Sequence, residues 1–341
     1  MKPLEPFAPA DVQALKALID AHHSFVIVCH TNPDGDAMGS SLGLADWLRC
    51  QDKDVTVIVP DLYPDFLQWL PGAQETVRAD KYPDKARLLL LMADVVMCLD
   101  LNTPSRTESV APFIAASKAQ KVLIDHHLAP EAFCSLTFSR PEASSTCELV
   151  FALIQAMEGC DLLTRQAAEC LYCGMMTDTG GFTYNSNRAE IFSIIAALLA
   201  KGINKDDIYR RVFHNYSEER LRLMGFALCQ KLRVYADRKA ALIALSQEEM
   251  SHFHFVKGDT EGLVNQPLQI KGVRFSCFLR EDTERGFIHV SLRSVGTFPC
   301  NDFAARYFNG GGHCNASGGR FYGSLDDAVA CFEKALVEFE A

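Results

Sequence analysis

The sequence has no apolar run of the roughly 20 residues that a membrane-spanning helix needs. The most apolar run, near residues 88–91, is soon interrupted by Asp94, and residues 1–5 lack the apolar region of a signal peptide. We therefore expect a cytoplasmic protein that does not enter a membrane.

The chain also lacks an excess of positive charge, because 43 acidic residues outnumber 33 basic residues and the formal net charge is −10. Proteins that bind duplex DNA by charge do so through Lys and Arg contacts with phosphates. No basic stripe or series of aromatic residues indicates a site for a long nucleic acid. We expect no long duplex as a partner, although a site of locally positive charge can still bind a small anion.

The thirteen cysteines lack the spacing of a disulfide framework, and their number is odd. In a chain without an export signal, such cysteines are typically reduced and act as small core residues. Cys170 and Cys173 form a single CxxC in an apolar helical stretch. Without a second pair, this motif indicates core packing rather than a zinc or redox site.

Strands and helices alternate in the first part of the chain. Strands are predicted at residues 25–28, 55–59, 95–99 and 122–124, and helices at 10–22, 37–50 and 106–117. The helix at 37–50 is rich in small residues and is predicted to pack tightly against a sheet. Nearly continuous apolar strands are typical of a parallel α/β sheet with helices on both faces.

The second part of the chain begins with helices and ends in a smaller mixed α/β block. Helices are predicted at 164–177, 188–201, 217–231, 301–307 and from 325, strands at 240–245, 273–279 and 287–292, and a turn at 281–286. A chain of 341 residues exceeds one compact core. We predict a catalytic domain over 1–212, a helical linker over 213–235 and a substrate-binding domain over 236–341.

An imidazole and two carboxylates follow the first predicted strand within one loop. These are His30, Asp34 and Asp36, and Pro33 and Gly35 between them allow sharp turns. A polar turn with Asp36 as the cap of the next helix is the alternative. A cap does not account for His30 or for the second carboxylate.

Similar residues follow other predicted elements. Asp100 follows the strand at 95–99, Asp125-His126-His127 follow the strand at 122–124, and Asp178 lies in the glycine-rich turn after a helix. Each has an ordinary alternative as a cap, a turn residue or a core histidine. Ligands of open parallel sheets bind outside the carboxyl ends of the strands, so together these residues predict a shared metal site.

The predicted ligands are carboxylates and imidazoles without cysteine, which favours Mn²⁺ or a related divalent ion. Four aspartates would leave a single divalent ion with too much negative charge. Two ions about 3.5–4 Å apart, bridged by one carboxylate, suit displacement at phosphorus.

These motifs, in this order, resemble those of the DHH family of phosphoesterases, which is named for the triplet seen here at residues 125–127. Residues 310–319 and 258–265 resemble the DHH-associated domain. Within the family, the chain is similar to the stand-alone oligoribonuclease (nanoRNase) and pAp phosphatase group.

The resemblance implies a role for each residue of the predicted site. His30 and Asp34 would bind one Mn²⁺, Asp36, His126 and Asp178 would bind the other, and Asp100 would bridge the two. His127 would stabilise the charge of the scissile phosphate, and Asp125 would orient a ligand or its loop.

Further residues are candidates for binding substrate phosphates. The glycines at 310–312, here represented by Gly311 and Gly312, allow a backbone to approach phosphate closely, and His313 can add a donor. A flexible connection is the alternative. Arg293 suits a bidentate phosphate contact or, alternatively, a surface ion pair. Arg106 is equally consistent with a phosphate contact and a solvated side chain.

The resemblance implies a hydrolase that degrades short single-stranded RNA to mononucleotides, in either the 3′–5′ or the 5′–3′ direction, by attack of a metal-activated hydroxide. It also implies dephosphorylation of 3′-phosphoadenosine 5′-phosphate (pAp). A phosphodiesterase for pApA or cyclic dinucleotides is the first alternative, because it would have the same metal site. A non-catalytic nucleotide-binding regulator is the second. The apolar faces of the helices at 164–177 and 188–201 fit packing within the chain or a homodimer.

Overall fold

The computed structural model of this chain describes residues 7–282 and 285–339. Residues 1–5 and part of the turn predicted at 281–286 lie outside the described residues. The chain forms two compact units, one ending at Asn215 and the other beginning at Tyr216. Each contains its own six-stranded sheet. The finer boundaries at 212 and 235 stay a prediction.

Strands and helices alternate in the first unit, and all four predicted strands are confirmed. The elements are α1 (Pro9–Ala21), β1 (Ser24–Val28), α2 (Gly35–Arg49), β2 (Asp54–Val59), β3 (Val77–Arg78), α3 (Pro83–Met92), β4 (Val95–Leu99), α4 (Ala111–Ala116), β5 (Gln120–Asp125), β6 (Leu136–Ser139), α5 (Thr146–Ala156), α6 (Arg165–Asp178), α7 (Ala189–Ala200) and α8 (Lys205–Phe213). The short strands β3 and β6 were not predicted, because neither has a long apolar run.

The helix predicted over 106–117 is wrong in its first half. Residues Pro104–Val110 form 3₁₀ turns, and α4 begins only at Ala111. Glu108 has φ +46° and ψ −107°, which no right-handed helix accommodates. The spacing of apolar residues therefore continues through a break in the backbone.

The first sheet is parallel throughout, in the order β3-β2-β1-β4-β5-β6. One face, which includes Ile27 and Met97, packs in a single core with α2, α5 and α6. The other face, which includes Val26 and Cys98, packs against α3 and α4. This confirms the predicted parallel α/β sheet with helices on both faces. The strand order reverses between β1 and β4, which is where open parallel sheets bind ligands.

The closest approach of α2 is to another helix, α6, rather than to the sheet as the small residues suggested. A Cβ added to Gly39 of α2 would lie 2.5 Å from the carbonyl oxygen of Cys170 in α6. A Cβ on Gly174 of α6 would lie 3.0 Å from the carbonyl oxygen of Gly35. Side chains at these positions would separate the helices. The glycines therefore bring Asp178, the last residue of α6, close to the start of α2.

The second unit is a mixed α/β structure, as predicted. Its elements are α9 (Glu218–Phe226), β7 (Arg233–Tyr235), β8 (Ala240–Leu245), α10 (Gln247–His252), β9 (Phe275–Asp282), β10 (Phe287–Ser294), α11 (Cys300–Tyr307), β11 (Gly311–His313), β12 (Ala316–Phe321) and α12 (Leu325–Glu338). Its sheet has the order β11-β12-β10-β9-β8-β7, with β8 and β9 parallel and the other pairs antiparallel. Helices α11 and α12 cover one face.

Two other predictions concern cysteines and exposed apolar residues. Cys170 and Cys173 are free and buried, and burial raises the pKa of Cys173 to about 12, as expected of core thiols.

In α7, Ile191 and Leu198 are buried, whereas Phe192 is exposed. The buried face packs within the chain, and the homodimer stays a prediction. No helix of the described residues is both long enough and apolar enough to cross a membrane.

Candidate metal centre

Four elements of the first unit bring carboxylates and imidazoles to the carboxyl edge of its sheet. They are the loop after β1, the residue after β4, the end of β5 with the residues that follow it, and the end of α6. Three groups of these side chains each have ligand atoms within 4.8 Å of one another. The first group is His30, Asp34 and Asp100, the second is Asp36, His126 and Asp178, and the third is Asp100, Asp125 and His127. The first two groups contain all of the metal ligands that the sequence predicts.

The loop after β1 directs its two carboxylates differently. Asp34 is the N-cap of α2, and its Oδ1 accepts hydrogen bonds from the backbone nitrogens of Asp36 at 3.0 Å and Ala37 at 3.1 Å. The alternative in which Asp36 caps this helix is therefore wrong. Asp36 lies one position inside the helix and is only 1% exposed, so its carboxylate points into the site.

The first group is arranged around His30. Its Nε2 lies 3.2 Å from Oδ2 of Asp100 and 3.9 Å from Oδ1 of Asp34. Its Nδ1 lies 2.7 Å from the carbonyl oxygen of Thr31. A histidine ligand of a metal commonly uses its second nitrogen in this way, which fixes the direction of the first.

The second group is arranged around His126 in the same manner. Its Nε2 lies 3.5 Å from Oδ1 of Asp100, 3.7 Å from Oδ2 of Asp36 and 3.6 Å from Oδ2 of Asp178. Its Nδ1 faces the carbonyl oxygen of Ala143 at 3.4 Å. Nε2 of His30 and Nε2 of His126 therefore both face Asp100, and each also faces the other carboxylates of its own group.

Asp100 lies between the groups and has one oxygen towards each. Its backbone has φ +58°, a left-handed conformation that is unusual for a residue with a side chain. The backbone nitrogen of Asp100 is fixed by a hydrogen bond to the carbonyl oxygen of Ile124 at 3.1 Å. Backbone strain of this kind is concentrated at functional sites. It is the expected property of a carboxylate held between two ligand groups.

The protonation of the group shows how much negative charge is concentrated here. Burial, together with the charges of Asp100 and Asp178, raises the pKa of Asp36 well above its ordinary value. Burial lowers the pKa of His126, but the three neighbouring aspartates outweigh it and raise this pKa well above 6.5. The oxygen atoms of four carboxylates and the nitrogen atoms of two imidazoles thus lie at one edge of the sheet. This set of ligands fits two divalent cations, which would neutralise the negative charge.

His127 is held by its neighbour in the sequence triplet. Its Nδ1 lies 2.7 Å from Oδ1 of Asp125, and its backbone nitrogen donates to Oδ2 of the same carboxylate at 3.1 Å. Burial lowers the pKa of His127, and the hydrogen bond to Asp125 opposes that shift. Asp125 therefore orients the ring, so that Nε2 points away from this carboxylate.

The backbone at the start of α5 also holds the ligands, and the sequence did not indicate this. The backbone nitrogens of Thr146 and Cys147 donate to the two oxygens of Asp36 at 2.6 and 2.9 Å. The hydroxyl of Thr146 donates to Oδ1 of Asp100 at 3.0 Å. Ser145 is the N-cap of α5, and its side chain accepts a hydrogen bond from the backbone nitrogen of Glu148. The contacts of this helix start with metal-ligand candidates arise only in the folded chain.

A buried ion pair supports this helix start. Glu148 accepts hydrogen bonds from the backbone nitrogen and hydroxyl of Ser144 at 2.6 and 2.8 Å. Nη2 of Arg188 donates to Oε2 of Glu148 at 2.6 Å. Arg188 is 3% exposed, so removal of either partner would leave a buried charge unpaired.

Arg106 lies beside the ligand groups. Its charge opposes the rise that neighbouring aspartates cause in the pKa of His30, and it adds to the lowering of the pKa of His127 that burial causes. Its carbonyl oxygen accepts from the backbone nitrogen of Thr31 at 2.8 Å, which ties the two ligand loops together. Among the described residues, its buried Nη1 has no hydrogen-bond partner. An unsatisfied cation beside a carboxylate centre is the expected feature of an anion contact.

The remaining predicted residues lie in the second unit. Arg293 pairs with Ala316 in the sheet, and Ala316 pairs with His313, so the three form one row across three strands. Residues Gly311–His313 form a strand rather than a flexible connection. Gly312 has φ +136°, and a Cβ there would lie 2.7 Å from the carbonyl oxygen of Ala316, so the backbone requires glycine. Gly311 has no such constraint.

Both units of the chain match known protein families. Residues 24–175 match the DHH family, N-terminal domain, and residues 241–338 match the DHHA1 domain. The bifunctional oligoribonuclease and PAP phosphatase NrnA of Thermus thermophilus is 30% identical and aligns over 91% of this chain and 87% of its own length. The cyclic-di-AMP phosphodiesterase GdpP of Geobacillus thermodenitrificans is 26% identical over 88% of this chain and 45% of its own length.

Solved structures show the same architecture. The crystal structure of an exopolyphosphatase-related protein from Bacteroides fragilis is 54% identical and has a TM-score of 0.93, covering 99% of this chain and 98% of its own. RecJ of Thermus thermophilus in complex with Mn²⁺ is 12% identical, with a TM-score of 0.55 over 99% of this chain and 56% of its own. The RecJ likeness concerns the fold.

Proposed function

The chain belongs to the DHH family of phosphoesterases, and from this premise we propose that it degrades very short RNA oligonucleotides to mononucleotides and removes phosphate from pAp. The position of Asp100 between two groups of ligands is the observation that carries the proposal. It supports a bridging carboxylate, and a bridged pair of ions suits displacement at phosphorus.

The donor set fits two divalent ions, with Mn²⁺ as our proposed choice. His30 and Asp34 would hold one, Asp36, His126 and Asp178 the other, and Asp100 both. When bound, the ions would supply an activated water and stabilise the charge on the leaving oxygen. The start of α5 would keep Asp36 and Asp100 in position while substrate binds and product leaves.

Two cationic groups of the first unit would contact the substrate phosphate. The Asp125 carboxylate orients the His127 ring, and the negative charge of an arriving phosphate would raise the low pKa of His127. The protonated ring would then donate to a phosphate oxygen. Nη1 of Arg106, which has no hydrogen-bond partner in the described part of the chain, would provide a second donor. Both would stabilise the negative charge that increases in the transition state.

Arg293, Gly311, Gly312 and His313 would hold a further phosphate of the substrate in the second unit. Arg293 and His313 lie in one row of the sheet, which supports a shared anion contact. An oligonucleotide and pAp have in common a phosphate besides the one that is attacked. This shared feature is our reason for assigning both substrates to one site.

Cleavage of pApA or a cyclic dinucleotide is the second candidate, favoured by the similarity to the cyclic-di-AMP phosphodiesterase. The same metal centre would serve either reaction. The test is a comparison of turnover with Mn²⁺ for ribonucleotides of two to five residues, pAp, pApA, cyclic di-AMP and polyphosphate. Labelling of either end of the ribonucleotides also gives the direction of degradation.

We expect mononucleotides from the short RNAs and phosphate from pAp, both lost on removal of Mn²⁺ or in an Asp100→Ala variant. Preferred turnover of pApA or cyclic di-AMP would replace our proposal with the second candidate. Metal-dependent binding of these nucleotides without turnover of any would instead indicate a non-catalytic regulator.

A further inference from the structure

The open part of the second sheet presents side chains in rows that run across its strands. Paired residues on neighbouring antiparallel strands point to the same face of a sheet. One row consists of His313 in β11, Ala316 in β12 and Arg293 in β10. Another row, four residues back along β10, consists of Arg320 in β12, His289 in β10 and Arg280 in β9.

The row between these two has almost no side chains over β11, β12 and β10. It consists there of Gly311, Gly318 and Ser291, and in β9 it ends at the buried Phe278. A Cβ added to Gly311 would have no neighbouring atom within 4 Å, and one added to Gly318 would meet only the Val290 carbonyl oxygen at 3.4 Å. Neither residue is a glycine because of crowding or backbone strain. We call this floor, with Arg293 on one side and Arg280 on the other, the glycine trough.

Neither arginine of the glycine trough has a carboxylate partner among the described residues. Nη1 of Arg293 donates to the carbonyl oxygen of Leu292 at 2.9 Å. The guanidinium of Arg280 lies 5.4 Å from the centre of the Phe255 ring. By contrast, arginines on the exposed helices pair with acids, as Arg222 does with Glu218 at 2.6 Å.

Asp282 is the carboxylate whose charge acts on Arg280, but both of its oxygens contact other groups. Oδ2 of Asp282 lies 3.0 Å from Nε2 of His289, and its Oδ1 accepts from the backbone nitrogen of Arg285 at 3.0 Å. Burial lowers the pKa of Arg280, because a half-buried guanidinium loses hydration. In a chain with ten more acids than bases, two such arginines without an acid indicate an external anion.

We propose that the glycine trough binds two phosphates of an oligonucleotide, with Arg293 and His313 contacting one phosphate and Arg280 contacting a phosphate farther along the strand than the adjacent one. This inference rests on the proposed function and assigns the residue that distinguishes oligonucleotides from a single nucleotide. The bare floor leaves space for the sugar-phosphate backbone, and Ser291 offers it a hydroxyl.

The length of the trough is what makes Arg280 selective. Arg293 and His289, which pairs with Arg280, are four residues apart, or about 14 Å along an antiparallel strand. Both phosphates of pAp lie on one ribose and cannot reach across this distance as a chain of nucleotides can. Arg280 should therefore contribute to binding of oligonucleotides and contribute nothing to binding of pAp.

The test compares Arg280→Gln with Arg280→Lys and with a control, Arg238→Gln. The control removes the same charge from an exposed arginine of the same unit, in the turn after β7. Binding of end-labelled di-, tri- and tetraribonucleotides and of pAp is measured on the full chain in EDTA, at several salt concentrations. Turnover of each is measured separately with Mn²⁺, and thermal unfolding establishes that every variant is folded.

We expect Arg280→Gln to weaken binding of the tri- and tetraribonucleotides roughly 10- to 100-fold, with Arg280→Lys intermediate and with pAp and the diribonucleotide unchanged. The dependence of log affinity on log salt should become shallower by about 0.7, as for one lost phosphate contact with a single strand. Equal loss for pAp and oligonucleotides, or no loss beyond that of Arg238→Gln, would overturn the trough. Binding that depends on Arg280 without turnover of any RNA would retain the trough and refute the proposed function.

Discussion

The carboxyl edge of the first sheet and the open face of the second are built from opposite charges. The first gathers four carboxylates whose directions are fixed by backbone donors and histidines. The second presents Arg280 and Arg293, which have no acid partner among the described residues, beside a floor of glycines. The first suits cations and the second suits phosphates. The net charge of −10 describes neither, because each site depends on its local field.

The largest expected effect separates the two regions directly. Asp100→Asn keeps the size and the left-handed backbone of Asp100, which asparagine tolerates, but removes the charge between the ligand groups. Metal activation supplies several kcal/mol, so turnover should fall roughly 10³-fold or more. Oligonucleotide binding in EDTA should not weaken. Weakened oligonucleotide binding in EDTA would show that the glycine trough depends on the carboxylate centre of the first unit.

A buried charge provides the next prediction. Arg188→Met should lower the free energy of unfolding of the first unit by about 3–5 kcal/mol, because Glu148 would stay buried without its partner. Denaturant unfolding followed by hydrogen exchange of each unit measures this effect. The double variant Arg188→Met with Glu148→Gln should recover part of the loss. If the first unit is equally protected from hydrogen exchange in both variants and in the unchanged chain, the ion pair of Arg188 and Glu148 does not stabilise it.

Thr146 allows a smaller and more local test of the carboxylate centre. Thr146→Val keeps the shape of the side chain but removes the hydroxyl that donates to Asp100. Loss of a residue that orients a metal ligand typically weakens metal binding by about 10–100-fold. We expect this loss in Mn²⁺ titrations followed by electron paramagnetic resonance. Thr146→Ser should restore affinity, and an equal loss in both variants would indicate packing rather than the hydroxyl.

The smallest effect concerns pH. The pKa values of His30 and His126 are raised above 6.5 by neighbouring aspartates, despite burial. Their protonation therefore stabilises the metal-free chain below pH 6.5, and this contribution is lost as pH rises through the raised values. Mn²⁺ takes the place of these protons, so it should raise the unfolding temperature more at pH 8 than at pH 6. If Mn²⁺ raises the unfolding temperature by the same amount at both pH values, protons and Mn²⁺ do not compete for these histidines.

Four of the six strands of the first unit, and the residues at their ends, could be predicted from the sequence. Apolar runs identify β1, β4 and β5, and the first two residues after each run lie at the carboxyl edge of the sheet. His30, Asp100 and His126 are therefore found without a structure. The break at Glu108 could not be predicted, because its positive φ leaves the apolar spacing intact.

The sequence by itself determined which residues provide the carboxylates and imidazoles, because strand ends and short motifs are local in the chain. Only the tertiary structure decided what holds them. The backbone nitrogen of Thr146 reaches Asp36 across 110 positions of sequence, and a backbone donor leaves no trace in residue type. The pairing of Gly311 with Gly318, and of His289 with Arg280, likewise depends on strand register. Register is fixed by packing of the whole sheet, so the glycine trough appears only when the chain is folded.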